Sequence, residues 1–337
     1  MNILGFLITF IISIILAPII IKIAKKLKFG QNILGYVTEH SVKQGTPTMG
    51  GIIFIIPSII ISLFFLKSNL TIPIICLVVF LGYGIIGFLD DFIKIKFKRN
   101  LGLRPYQKII FQVLIAIIVS FFAYNNSLIG SSIYLPFTLN KIDLGFFIVP
   151  FIIIVFLATT NSVNLTDGLD GLAGGVSLIF FISISLISSF CLNFYLPASM
   201  QEYIYQMENL NSICWCVSGG LLAFLVFNFY PAKIFMGDTG SLALGGLIAV
   251  VCCFNGTSLY IPIIGFMFVL SAVSVIIQVL YFKKTKKRIF LMAPFHHHLQ
   301  LKGMYETKIV FIYIVITIIL ALASFVLLGM VWNKKNI

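Results

Sequence analysis

The chain has 337 residues, of which 60% are hydrophobic. It contains ten acidic residues and 23 lysines and arginines, which give a formal net charge of +13. Apolar runs of about 20 residues, the length that spans a hydrocarbon core, recur along the whole sequence. This composition excludes a soluble globular enzyme and predicts an all-α integral membrane protein. The six cysteines lie mostly in apolar runs, without the spacing of a metal site or of a disulfide framework.

We predict one domain over residues 1–337 with about ten transmembrane helices. The predicted spans are 2–21, 51–66, 70–89, 109–124, 146–163, 172–191, 212–229, 241–256, 260–281 and 309–331. Two outer segments separate some of these spans. Residues 131–144 alternate loosely in polarity and predict a short hairpin, whereas 193–211 are predicted to form a polar loop.

Basic residues are distributed unequally between the two sides of this topology. Nineteen of the 23 lysines and arginines fall in 22–50, 92–108, 230–240 and 282–308, which share one side. The positive-inside rule places that side in the cytoplasm. No positive charge precedes the first apolar run, so we expect an uncleaved first span and both termini outside.

The stretch 161–175, NSVNLTDGLDGLAGG, places polar side chains between two apolar runs. Ionisable groups at membrane depth are costly, so this stretch favours a functional site over a polar loop between helices. If the segment continues as a helix, Asn164, Asp167 and Asp170 share one broad face.

Two further acidic groups, Asp90-Asp91 and Asp238, stand where apolar runs end. Adjacent carboxylates on a helix point in different directions, so one can face a ligand while the other orients a neighbour. Carboxylates combined with water and substrate phosphate suit Mg²⁺, and no cysteine–histidine set suits zinc. The alternatives are helix-end acids that reach into water and, for Asp238, an N-cap of the next helix.

Cationic and hydroxyl side chains accompany these acids on the same side. Residues 293–298 read APFHHH, and three successive histidines diverge too far to bind one metal together. They are better suited to donate to phosphate or sugar oxygens, or to move a proton near neutral pH. Residues 43–51, KQGTPTMGG, offer a cation, hydroxyls and N–H groups that can hold a phosphate. Phosphoryl transfer between a soluble substrate and a lipid needs mainly such positioning and charge neutralisation.

Five motifs, in order and along nearly the whole chain, together resemble the bacterial phospho-N-acetylmuramoyl-pentapeptide-transferase family. They are GTPTMGG at 45–51, Asp90-Asp91, the stretch 161–175, FMGDTG at 235–240 and PFHHH at 294–298. The resemblance implies transfer of phospho-N-acetylmuramoyl-pentapeptide from UDP-N-acetylmuramoyl-pentapeptide to undecaprenyl phosphate, which yields lipid I and UMP for peptidoglycan synthesis. It also implies Mg²⁺ dependence, a ten-span fold in the bacterial cytoplasmic membrane, contact with membrane lipid and a homodimer, with no nucleic acid as a partner.

The resemblance assigns roles to individual residues. The matches to catalytic positions are Asp90, Asp91, Asp238 and His296, and Asp238 is the expected Mg²⁺ ligand. The matches to positions around the uridine, the diphosphate and the same cleft are Lys43, Thr48, Asn164, Asp167, Asp170, Asn228, Phe235, Gln278, His297 and His298. Lys108 resembles a basic position near the lipid phosphate. Leu291, Gln300 and Met304 depart from the Lys, Glu and Trp usual in the family, which affects peripheral contacts rather than the reaction.

Other functions and mechanisms stay open at this point. A related enzyme would transfer N-acetylglucosamine-1-phosphate to undecaprenyl phosphate instead. A transporter would place its polar groups at the bilayer midplane, and a lipid-binding scaffold would not need the three aspartates. For the transferase, we favour direct attack by undecaprenyl phosphate, with Asp90 taking its proton, over an aspartyl phosphosugar intermediate.

Overall fold

A computed structural model of the chain describes residues 2–27, 45–97, 102–138, 140–195 and 200–335. Within these ranges the fold consists of twelve α-helices and one small hairpin, besides short 3₁₀ turns. The helices are α1 (Asn2–Lys26), α2 (Ile52–Phe65), α3 (Thr71–Lys96), α4 (Pro105–Asn125), α5 (Ile148–Thr166), α6 (Leu172–Tyr195), α7 (Gln201–Asn228), α8 (Gly237–Phe254), α9 (Ile261–Ile264), α10 (Phe266–Thr285), α11 (Phe295–Leu301) and α12 (Glu306–Lys335).

Nine of the described helices are long and apolar enough to cross a membrane. The remaining predicted span, 51–66, corresponds to α2, whose 14 residues are apolar but fewer than those of the other spans. At 1.5 Å per residue α2 is about 21 Å long, less than the hydrocarbon core of about 30 Å. The predicted all-α membrane fold with about ten transmembrane helices is confirmed.

The predicted span 260–281 is interrupted in the structure. The short helix α9 ends at Ile264, where the N–H of Gly265 donates to the Ile261 carbonyl at 2.8 Å, and α10 begins at Phe266. A Cβ atom on residue 265 would lie 2.6 Å from that carbonyl oxygen, so the chain requires glycine at this close approach.

The prediction of a polar loop over 193–211 is wrong for its second half, because α7 begins at Gln201. The polar side chains that suggested a loop are buried against the connection between α2 and α3. Asn209 Oδ1 accepts from the Lys67 N–H at 2.7 Å, and Asn209 Nδ2 donates to the Lys67 carbonyl at 2.8 Å. Gln206 Nε2 donates to the Asn69 carbonyl at 2.7 Å. Tertiary contacts thus take the place of water for the Asn209 carboxamide and for Gln206 Nε2, whereas Gln206 Oε1 has no hydrogen bond among the described residues.

The predicted hairpin between the fourth and fifth spans is confirmed. Strands β1 (Ser132–Tyr134) and β2 (Lys141–Asp143) pair antiparallel, with Ile133 opposite Ile142.

Helix α8 lies at the centre of the bundle. In the most apolar stretch of α8, 89% of the residues are buried, against 22% in α1 and in α10. The side chains of α1 and α10 therefore face outward, where lipid would surround them. The neighbours of α8 include α3 and α5, which run beside it along their length. This packing brings the start of α8 against the ends of α3 and α5, which is where the acidic residues lie.

Candidate active site

Three carboxylates meet where the end of α3 contacts the start of α8. Asp90 and Asp91 belong to the last turns of α3, and Asp238 belongs to the first turn of α8. Each offers an oxygen within 4.8 Å of those of the other two. Gly87 permits this approach, because a Cβ atom there would lie 2.0 Å from the Asp238 carbonyl oxygen.

The two adjacent aspartates of α3 have different partners, as expected for neighbouring positions on a helix. Asp91 Oδ2 accepts from the N–H and the hydroxyl of Thr239, at 2.9 and 2.7 Å. Asp90 Oδ1 accepts from the N–H of Leu103 at 2.8 Å. Asp91 therefore satisfies the start of α8 from a neighbouring helix, and Asp238, which lies inside α8, is not its N-cap.

Two lysines complete the acidic cluster. Lys94 Nζ lies 2.6 Å from Asp90 Oδ2 and 3.0 Å from Asp238 Oδ2. Lys108 Nζ, from the first turns of α4, lies 3.0 and 2.5 Å from the same two oxygens. Formally, three carboxylates and two ammonium groups leave one negative charge. Sequence reasoning identified Lys108 but missed Lys94, although its position four residues after Asp90 on a helix was a usable signal.

Asn164 joins the cluster from the last turn of α5. Its Nδ2 donates to Asp238 Oδ1 at 2.8 Å and lies 2.9 Å from the Ser241 hydroxyl. Both Asp238 oxygens are therefore engaged, one by an amide and the other by two ammonium groups. Asp167 follows directly after α5. Burial raises the pKa of Asp167 well above its ordinary value, and the nearby carboxylates of Asp238, Asp91 and Asp170 add to that rise.

The segment after Thr166 does not continue as a helix. Helix α5 ends at Thr166, and Gly171 has φ +80°. The common face that a continued helix would give Asn164, Asp167 and Asp170 is therefore absent, because a turn follows α5. Asp170 Oδ2 instead accepts from the N–H of Ala232 at 3.0 Å.

Glu306, in the first turn of α12, is a second residue that sequence reasoning missed. Its side chain is buried, and Oε1 accepts from the Asp170 N–H at 2.6 Å. The two residues are 136 positions apart, and no local motif links them. Glu306 thereby fixes the turn that follows Asp167 to the start of α12.

Asn228 and Phe235 connect three segments around the cluster. Asn228 Oδ1 accepts from the Gly171 N–H at 3.0 Å, and Nδ2 donates to the Ile234 carbonyl at 2.9 Å. The N–H of Phe235 donates to the Pro47 carbonyl at 2.8 Å. The carboxamide of Asn228 is thus bonded to backbone at both ends, and the residues after α7 are tied to those before α2.

Thr48 lies beside the start of α8. Its hydroxyl oxygen is 2.7 Å from the position of a Cβ atom on Gly237, and Asp91 Oδ2 is 2.4 Å from that same position. The hydroxyl is buried and has no hydrogen-bond partner among the residues described here. Lys43, predicted for the same segment, lies outside the described residues.

The three histidines follow Phe295 in the short helix α11. His296 and His297 contact one segment, and His298 contacts another. His296 is fully buried, and its Nε2 and that of His297 lie 2.3 and 3.2 Å from the position of a Cβ atom on Gly168. Both rings therefore pack on the turn after Asp167. Burial lowers the pKa of His296 well below its ordinary value, so its ring is neutral at pH 7. Neither ring nitrogen of His296 has a partner within the described part of the chain.

His298 and Gln278 contact the connection between α10 and α11 rather than the acidic cluster. His298 Nδ1 accepts from the Leu291 N–H at 3.1 Å. Gln278 Oε1 accepts from the N–H groups of Ile289 and Phe290, at 3.1 and 3.0 Å, and Nε2 donates to the Phe290 carbonyl at 3.1 Å. These two side chains define the course of that connection.

Comparison with known proteins identifies the family to which the chain belongs. The pattern of glycosyl transferase family 4 matches residues 72–256, and phospho-N-acetylmuramoyl-pentapeptide-transferase signature 1 matches residues 43–55. The chain is 46% identical over 321 residues to the phospho-N-acetylmuramoyl-pentapeptide-transferase of Clostridium novyi, covering 95% of this chain and 94% of the relative. It is 47% identical to that of Clostridium kluyveri, over 95% of this chain and 96% of the relative. For that of Clostridioides difficile the identity is 44%, over 95% of both chains. The chain therefore belongs to the phospho-N-acetylmuramoyl-pentapeptide-transferase family, within glycosyl transferase family 4.

Proposed function

We propose that this chain transfers phospho-N-acetylmuramoyl-pentapeptide from UDP-N-acetylmuramoyl-pentapeptide to undecaprenyl phosphate, forming lipid I and UMP. The proposal rests on the family match and, above all, on the joint contact of Lys94 and Lys108 with Asp238. Acids and cations at one end of a membrane-spanning bundle suit a reaction between a phosphorylated soluble substrate and a lipid phosphate.

The reaction forms one phosphorus–oxygen bond and breaks another. An oxygen of undecaprenyl phosphate attacks the β-phosphorus of the nucleotide sugar, and the bridging oxygen leaves with UMP. Lys94 and Lys108 bind phosphate oxygens and offset the charge that the two substrates bring together. Asp90, within 3.0 Å of Lys108 Nζ, takes the proton of a monoanionic lipid phosphate.

The acidic cluster fits a divalent cation. Carboxylate oxygens are the protein ligands that Mg²⁺ prefers, and three residues offer them within 4.8 Å of one another. The Oδ1 atom of Asp91 is buried without a hydrogen-bond donor among the described residues, although Lys94 Nζ lies 3.8 Å away. We propose Asp238 as the ligand, assisted by Asp90 and Asp91. When bound, Mg²⁺ would neutralise charge on the diphosphate.

The remaining residues near the cluster have proposed roles in substrate binding. Asn164 holds Asp238 in place, and Asp167, His296 and His297 line the adjacent turn, where their polar atoms can meet the sugar and diphosphate. Thr48 offers its hydroxyl beside Gly237. For Asp170, Asn228, Gln278 and His298, whose described bonds are to backbone, we propose that they shape the segments that contact the nucleotide.

We propose that the end of the bundle holding the cluster faces the cytoplasm, with both termini outside. Nineteen of the 23 lysines and arginines fall in segments at that end, which supports this orientation. A homodimer is the proposed assembly, on the resemblance alone. Light scattering of the detergent-solubilised protein, with the detergent mass subtracted, measures the mass of the assembly. A mass twice that of one chain supports a dimer, and a mass equal to that of one chain contradicts it.

Release of UMP from the purified protein tests the proposed function. UDP-N-acetylmuramoyl-pentapeptide should be consumed rapidly with undecaprenyl phosphate and Mg²⁺, and turnover should stop when a chelator is added. UDP-N-acetylglucosamine, presented under identical conditions, should react far more slowly. Equal or inverted preference would assign the chain to N-acetylglucosamine-1-phosphate transfer instead, and no release from either would contradict the transferase function.

A further inference from the structure

Four helices supply the acidic cluster, and a second polar layer joins the same helices deeper in the bundle. The layer consists of Tyr83 on α3, Gln112 on α4, Asn161 on α5 and Gly246 on α8. Each lies about one to two helical turns from a residue of the cluster on its own helix. Tyr83 and Gln112 are fully buried within helices that qualify as membrane spans.

Gln112 is the centre of this layer. Its Oε1 accepts from Asn161 Nδ2 at 2.9 Å and lies 3.4 Å from the Thr160 hydroxyl, and its main-chain carbonyl accepts from the Tyr83 hydroxyl at 3.0 Å. One residue of α4 is thus bonded to both α3 and α5. Tyr83 also contacts α8, because a Cβ atom on Gly246 would lie 2.6 Å from Tyr83 Cδ2.

The spacing along each helix points from this layer to the cluster. Gln112 follows Lys108 by four residues and Asn161 precedes Asn164 by three, so each pair shares one helix face, separated by about one turn. Lys108 and Asn164 engage opposite oxygens of Asp238, and Lys94 shares the oxygen that Lys108 contacts. A bond between Gln112 and Asn161 therefore fixes the spacing of α4 and α5 about one turn from the level where both helices reach Asp238.

We propose that Gln112 is a positioning residue for the transfer reaction, which acts by holding Lys108 and Asn164 at Asp238. This inference rests on the proposed function. Polar side chains buried at membrane depth are costly, and an amide between apolar helices has to be compensated by a specific interaction. Gln112 is retained here although its Nε2 has no acceptor within the described ranges. Its described bonds are those that join α4 to α3 and α5.

A set of variants on α4 and its neighbours tests the proposal. Gln112→Met removes the amide at similar length, Asn161→Ala removes its partner, and Tyr83→Phe removes the hydroxyl alone. Ser120→Ala is the matched control, because Ser120 is also buried on α4 but, among the described residues, its hydroxyl bonds to the Ile117 carbonyl of its own helix. Thermal unfolding of each purified variant identifies those that fold, and kcat and KM are measured for both substrates.

For Gln112→Met we expect kcat to fall by about tenfold with KM for the nucleotide sugar unchanged, since small displacements of reacting groups are costly. Asn161→Ala should lower kcat similarly. The double variant should be no slower than either single variant, because both substitutions remove the same bond between Gln112 and Asn161. Tyr83→Phe should lower kcat and Ser120→Ala should leave it unchanged. If Gln112→Met does not fold, the kcat of Asn161→Ala and Tyr83→Phe decides.

Two results would overturn the proposal. One is a kcat within twofold of the unaltered protein for the folded variants of Gln112, Asn161 and Tyr83. The other is multiplication of the Gln112 and Asn161 effects in the double variant, which would mean that the two residues act independently. Failure of the proposed function is distinguishable, since the unaltered protein would then show no transfer at all.

Discussion

Lys108 Nζ lies 2.5 Å from Asp238 Oδ2, although the two residues are 130 positions apart in the chain. Lys94 Nζ approaches the same oxygen to 3.0 Å from another helix. The carboxylate proposed to ligate a cation and the two ammonium groups proposed to bind phosphate therefore share one location. On the proposed function, substrate charge and protein charge would offset each other there.

Replacement of Asp238 by Asn should nearly abolish transfer. The amide keeps the shape of the side chain but removes the negative charge that pairs with Lys94 and Lys108 and that would hold Mg²⁺. We expect kcat to fall by about 100-fold or more and the Mg²⁺ concentration for half-maximal rate to rise. The measurement is UMP release over a Mg²⁺ titration. Asp143→Asn, on the exposed strand β2 of the hairpin, is the control and should match the unaltered protein.

Asp90→Asn should produce a defect that depends on pH. A phosphate group has its second pKa near 6, so solvent deprotonates undecaprenyl phosphate increasingly as the pH rises. A base is needed most when the lipid phosphate is monoanionic. The rate ratio of the unaltered protein to the variant should therefore be largest near pH 6 and shrink toward pH 8. A ratio that is constant or grows with pH would show that Asp90 is not the base.

Glu306→Leu should destabilise the protein and weaken nucleotide-sugar binding. The change leaves the Asp170 N–H without its acceptor, and a buried bond to a charged group contributes about 2 kcal/mol to the free energy of unfolding. Glu306→Gln keeps an acceptor oxygen and should restore most of the loss. Thermal unfolding in detergent and KM for the nucleotide sugar are the readouts. Glu208→Leu, which breaks a half-exposed pair with Lys67 at 2.8 Å, should have little effect on either.

Single cysteines should report the orientation of the bundle. A cysteine at Asn125, at the end of α4, should react in intact cells with a membrane-impermeant thiol reagent. One at Thr285, at the end of α10, should not react until the cells are opened. Five of the six native cysteines are buried, so the unaltered chain provides a low background. The reverse pattern would place the acidic cluster outside the cell.

Sequence periodicity and charge predicted most of the membrane fold, because a span must be apolar over a fixed length. They failed at the start of α7, where the partners of Gln206 and Asn209 lie in the connection before α3. They left open whether a helix continues through the stretch 161–175, and the structure shows a turn after Thr166.

The acidic cluster was predictable in part for a similar reason. Asp90, Asp91 and Asp238 stand at ends of spans on one side, so topology alone brings them to one membrane face. The bond between Asp170 and Glu306 depends on how distant helices pack, and no pattern in the sequence encodes it. The separation of His296 and His297 from His298 likewise follows from packing against Gly168.

A single-turnover reaction with UDP-N-acetylmuramoyl-pentapeptide labelled on its sugar tests whether the acidic cluster catalyses direct transfer to a lipid phosphate. The purified protein is mixed with Mg²⁺ and the label, with or without undecaprenyl phosphate, and UMP, labelled lipid and labelled protein are quantified together. Direct transfer predicts that UMP release requires undecaprenyl phosphate and that the label appears in lipid in equal amount. Release of one UMP per protein without the lipid, with the label retained on the protein, would contradict direct attack.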